Sequence, residues 1–122
     1  MFELAIIGDF AAAHRLHGYE GNCKDLHGHT WKVEVVIAAD QLDKIGMVMD
    51  FKVLKMKLKD LLSNIDHVYL NDLAAFQKDN PTTENLAKYI FEEFSKICRP
   101  LQLKRVRVWE SQSASVTYSR DS

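Results

Sequence analysis

The sequence predicts an α+β fold, a four-stranded and mainly antiparallel sheet with two helices packed on one face. Two observations carry this. Apolar residues alternate with polar ones in two stretches near the N-terminus and two near the C-terminus, whereas between them the apolar spacing changes to three and four. The resulting order, ββααββ, places consecutive strands side by side and leaves both helices to cover one face. No internal repeat, low-complexity segment or linker-like composition interrupts it, so one domain over residues 1–122 is expected.

Residues 2–14 form the first strand. Phe2, Leu4, Ile6, Phe10 and Ala12 share one parity, with Gly8 among them, and Glu3, Asp9 and Arg15 take the other. Residues 27–38 repeat the pattern, with Trp31, Val33, Val35 and Ile37 on one face and Thr30, Lys32 and Glu34 on the other. The connection HGYEGNCKDL is longer than a tight hairpin needs. From 50 to 65 the period becomes helical: Phe51, Leu54, Leu58, Leu61, Leu62 and Ile65 recur among lysines, and Asp50 suits the N-cap. PTTEN opens a second helix, whose buried stripe is Leu86, Ile90, Phe94 and Ile97, and Pro100 ends it. Residues 104–110 and 113–119 are the last two strands, joined by a short turn at Ser111 and Gln112. Such a sheet has two edges and an uncovered face, and self-association is a common way to protect them.

Composition narrows the function classes. A net charge of -1 over 122 residues provides no basic field for nucleic acid. The start MFELAIIGDF has no basic n-region, and no apolar run reaches the about 18 residues of a membrane span. A soluble cytoplasmic protein is expected. Its two cysteines fit a reducing compartment, although spacing leaves a disulfide between them open. Cys98 falls in the helical apolar pattern, and Cys23 falls in the Gly- and Asn-containing loop.

The stretch CKDLHGHTW concentrates chemistry. His27 and His29 are two apart, so in a strand they point to one side, and they share the parity of Trp31 and Val33. His14 has the parity of Phe10 and Ala12 on the first strand. Paired strands would bring three imidazoles to one end of the buried face. Burying them without partners is costly. A divalent metal removes that cost, and three histidines leave one position open, as at catalytic zinc. Iron, cobalt and nickel remain open on the same donor set. The blander reading is a chance H-x-H in a strand. His17 falls past the strand and reads as a solvated loop residue.

Glu110 closes the apolar parity of Val106 and Val108. Such a carboxylate either marks the solvent boundary or accepts hydrogen bonds from a ligand. Its two oxygens match a planar amidine-like edge with two parallel N–H donors. Asp66 and His67 lie where the helical period ends. Adjacency alone does not make them a facing pair, yet an acidic neighbour can orient an imidazole.

The set AAAHRL, CKDLHGHTWKVEV, GMVMDF, IDHVYLND, PTTENLAKYIF and VRVWES resembles the 6-pyruvoyltetrahydropterin synthase and 6-carboxytetrahydropterin synthase family, from about residue 9 to about residue 118. The resemblance implies the tunnelling fold (T-fold), in which subunits assemble as trimers and two trimers stack into a homo-hexamer with sites between subunits. It implies zinc held by His14, His27 and His29, with Cys23 as catalytic thiol and Asp66 with His67 completing the proton-transfer group. By the same resemblance Glu110 anchors the 2-amino and N3 edge of a pterin, and Thr82, Thr83 and Glu84 line its pocket. The implied substrate is 7,8-dihydroneopterin triphosphate. The compact chain favours the bacterial queuosine-pathway type, which yields 6-carboxytetrahydropterin, acetaldehyde and triphosphate, over the pyruvoyl-forming animal type. Cys23 argues against the branch that carries a carboxylate there. Ala11 departs from the serine of many relatives and touches no expected ligand. Two other readings compete, a pterin- or purine-binding module without catalysis and a protein whose zinc is purely structural.

Overall fold

The computed structural model describes residues 1–18 and 27–120, and at His27 the backbone alone. Strand β1 spans Phe2–His14 and β2 spans His27–Ala39, paired antiparallel from Phe2↔Ala39 to His14↔His27. Helix α1 covers Phe51–Ser63, and Asp50 caps it by accepting from the Lys52 N–H at 2.8 Å. Helix α2 covers Thr83–Ile97; Thr82 caps it by accepting from the Asn85 N–H at 3.0 Å, and Glu84 lies in its first turn, where the helix dipole favours an anion. Strands β4 (Gln102–Ser111) and β5 (Ala114–Ser119) complete the antiparallel set.

Sequence and structure differ in one strand. Val68–Tyr69 form β3, which pairs in parallel with Ala12 and Ala13 at the end of β1. The sheet is therefore mixed and five-stranded, in the order β3-β1-β2-β4-β5. β3 arises because the chain leaving α1 is brought against β1, where the His67 N–H donates to the Ala11 carbonyl. Two residues are too few to show a period.

Both helices cover the face that parity assigned to the core. Ile6, Phe10, Trp31, Val33, Val35, Val106 and Val108 meet Leu54, Leu58, Leu86, Ile90 and Phe94 in one continuous cluster. Cys98 is buried in it, as its place in the apolar stripe predicts. Gly8 sits where α1 comes closest to β1. A Cβ there would stand 3.0 Å from Leu62 Cδ1 and 3.2 Å from Leu58 Cδ2. Beyond the two residues covered by β3, the outer edge of β1 pairs with no other strand among the described residues, and β5 forms the opposite edge. No helix among the described residues is long and apolar enough to cross a membrane.

Candidate active site

The ends of β1, β2 and β4 converge beside the N-terminus of α2. His14 takes the inward parity of β1 and is 1% exposed. His29 takes the inward parity of β2, opposite Ala12 in the register, and His27 stands opposite His14. The His14 and His29 rings meet edge to face with centroids 5.1 Å apart. Trp31 floors the pair, its ring 5.2 Å from each imidazole and stacked on Phe10 at 5.9 Å. The Trp31 indole N–H has no acceptor among the described residues.

Glu110 enters from β4 at a register break. Trp109 pairs with Ser115 but Ser111 pairs with Ala114, so Glu110 is an extra residue in the ladder. A bulge of this kind re-aims a side chain. Here Glu110 Oε1 lies 3.1 Å from His29 Nε2 and 4.0 Å from His14 Nε2, and its other oxygen accepts from the Thr83 hydroxyl at 2.9 Å. The carboxylate is engaged within the chain and is 31% exposed.

These groups suit a cation. His14 Nδ1 lies 2.9 Å from the Pro81 carbonyl oxygen, which accepts and so fixes the proton on that nitrogen. In the neutral ring Nε2 then carries the lone pair, directed at the carboxylate and at His29. Imidazole ligands are commonly oriented in this way by a second partner. Among the described residues His14, His29 and Glu110 offer ligand atoms all within 4.8 Å of one another. Donors about 2.0–2.2 Å from a zinc ion in tetrahedral arrangement stand about 3.3–3.6 Å apart, so shifts of up to about an ångström would seat one. The donor set fits a divalent metal.

Residues that the sequence did not single out hold this arrangement. Asn71 grips the main chain of Arg15 by two bonds of 2.8 Å, and Asn80 grips that of His17 at 2.9 and 2.8 Å. They tie the exit of β1 to the segment that presents Pro81. The side chain of His17 is exposed, as expected of a loop residue.

Asp66 and His67 do face each other. His67 adopts φ 58, the left-handed region, and its Nδ1 lies 3.0 Å from Asp66 Oδ1. The turn brings together two side chains that an ordinary extended or helical step would separate. Asp66 Oδ1 also accepts from the Ala11 N–H at 2.9 Å. That backbone hydrogen bond, with His67 beside it, holds the Asp66 carboxyl below the usual carboxylate range. The His67 side chain is 81% exposed. A cavity of about 560 Å³ has both His67 and His29 in its lining, with Ala11, Ala13 and Thr30 between them. His67 and the His29 side of the imidazole cluster thus open on common ground. Of the remaining candidates, Thr82 caps α2 and Glu84 is exposed in its first turn. Cys23 lies outside the described residues, as does the side chain of His27.

Comparison with known proteins agrees with this geometry. The family model for 6-pyruvoyl tetrahydropterin synthase matches residues 3–121. The 6-carboxy-5,6,7,8-tetrahydropterin synthase of Synechocystis is 40% identical over 114 residues, covering 89% of this chain and 86% of that protein. The dihydroneopterin monophosphate aldolase of Pyrococcus furiosus is 39% identical over 108 residues, covering 88% of each. The structure of Caenorhabditis elegans 6-pyruvoyl tetrahydropterin synthase superposes with a TM-score of 0.86 at 28% identity, over 98% of this chain and 96% of that one. The α+β architecture is thus the tunnelling fold, and the chain belongs to the 6-pyruvoyl tetrahydropterin synthase family.

Proposed function

We propose that the protein is a zinc-dependent lyase that converts 7,8-dihydroneopterin triphosphate and water to 6-carboxytetrahydropterin, acetaldehyde and triphosphate. The observation that carries this reading is the convergence of His14, His29 and Glu110, with Pro81 fixing the tautomer of His14. Likeness to the Synechocystis enzyme supports the choice of reaction.

His14 and His29 hold the metal, with His27, the register partner of His14, as the third imidazole. Zinc supplies a Lewis acid beside the substrate's side-chain oxygens. Glu110 accepts from the 2-amino group and N3–H of the ring, steadied by the Thr83 hydroxyl. Cys23, as thiolate, removes a carbon-bound proton, and His67 returns one elsewhere on the side chain. Asp66 orients His67 through the contact at its Nδ1. The unpaired length of β1 and the edge strand β5 suit pairing between subunits, and a homo-hexamer of two stacked trimers is the assembly we propose.

The near-equal identity to the Pyrococcus aldolase favours a second reading, aldol cleavage of the pterin monophosphate. Incubation of the zinc-loaded protein with dihydroneopterin tri- or monophosphate, with product mass and acetaldehyde assayed, tests both. The expected result is the 6-carboxy product and acetaldehyde from the triphosphate. A pyruvoyl product, or turnover of the monophosphate alone, transfers the assignment within the family. No turnover of either substrate overturns it.

A further inference from the structure

Glu110 has two claimants. Its Oε1 faces the Nε2 atoms of His29 and His14 at 3.1 and 4.0 Å, as a ligand to a shared cation would. A pterin edge requires both carboxylate oxygens side by side toward its two N–H groups. With Oε1 turned to His29 Nε2 at 3.1 Å and Oε2 to the Thr83 hydroxyl at 2.9 Å, the two oxygens face different partners within the chain. The two engagements therefore compete for the direction of Oε1. Three features let one carboxylate serve both in turn. Its Oε2 is held by the Thr83 hydroxyl, which can remain bonded while the other oxygen moves. It stands on a β-bulge, where the ladder does not fix its direction. Its side chain, partly exposed, has an open flank to swing into.

We propose that Glu110 is a metal ligand of the substrate-free site and is drawn off the metal when a pterin ring takes the carboxylate. Glu110 pivots on its Thr83 contact, and the coordination position that Oε1 held opens only once a ring is seated. The substrate's own side chain then finds that position vacant. The inference rests on the pterin reading above for its second ligand alone. Its thermodynamic signature is reciprocal. A ring that engages Glu110 but has no side-chain oxygen must weaken metal binding, and metal must weaken binding of that ring by the same factor.

The test uses the full chain loaded with cobalt(II), whose visible spectrum reports its ligands, and 6-methylpterin, which has no side-chain hydroxyl. Saturating 6-methylpterin should change the cobalt spectrum and weaken cobalt binding about tenfold in competition with a chelator, and cobalt should weaken 6-methylpterin by the same factor. The Glu110→Gln protein should bind cobalt about tenfold or more weakly than the parent and show no spectral response to 6-methylpterin. If 6-methylpterin binds the parent, by its own fluorescence, while cobalt spectrum and affinity stay unchanged, the exchange is refuted and the pterin reading stands. Unaltered cobalt affinity in a folded Glu110→Gln protein refutes it equally. If 6-methylpterin binds neither the metal-free nor the loaded parent, the pterin reading fails and takes the exchange with it. Should Glu110→Gln not fold, the parent titration decides alone.

Discussion

Replacing Thr83 by valine isolates the contact that holds Glu110. Valine keeps the shape of the side chain, which is 8% exposed at the start of α2, but removes the hydroxyl that donates to Glu110 Oε2 at 2.9 Å. A hydrogen bond to a charged acceptor is worth about 1.5–3 kcal/mol. Glu110 is 31% exposed, so water recovers part of the loss, and about 1–2 kcal/mol remains. If that energy orients the carboxylate for a ring, 6-methylpterin should bind about 5–30-fold more weakly to Thr83→Val. Thr83→Ser keeps the hydroxyl and should bind close to the parent. Fluorescence titration measures all three, with circular dichroism confirming the fold. A Thr83→Val protein that binds as tightly as the parent would refute the argument, as would a Thr83→Ser protein that binds as weakly as Thr83→Val.

Three further outcomes follow from the structure. Asp66 has its folded titration below the ordinary range, so its contribution to stability is complete above about pH 4 and is lost as pH falls through its lower folded value. Asp66→Asn should therefore flatten part of the acid limb of a melting-temperature series, and an unchanged limb contradicts the Ala11 and His67 contacts. Gly8→Val should lose about 1–3 kcal/mol in urea unfolding, because Leu62 Cδ1 and Leu58 Cδ2 crowd that site at 3.0 and 3.2 Å; undiminished stability would mean α1 lies farther off. Thr82→Ala removes the α2 cap and should cost about 1 kcal/mol by the same measurement, whereas Thr82→Ser should not.

The main elements were legible because each has a period long enough to read. The alternation of β1 and β2 put His14 and His29 on the inward face before any pairing was known, and the structure pairs those strands in register. Asp50 and the PTTEN segment announced their helices through residues whose side chains satisfy free N–H groups. What stayed hidden depends on partners distant in sequence. β3 is two residues long and exists only because α1 delivers it to β1. The bulge that carries Glu110 arises from a mismatch between β4 and β5 that neither strand shows alone. The facing of Asp66 and His67 needs a backbone conformation uncommon for histidine, which its side chain does not advertise.

The contact that sets the proton on His14 comes from the peptide oxygen of residue 81. Every amino acid supplies that oxygen, so a scan that trims side chains one at a time would pass over position 81 without interrupting the contact. Its importance would surface instead through neighbours that steer the loop, such as Asn80 with its hold on His17. Engineers who transplant His14 and His29 with Glu110 to another scaffold would need to carry the path of this loop with them.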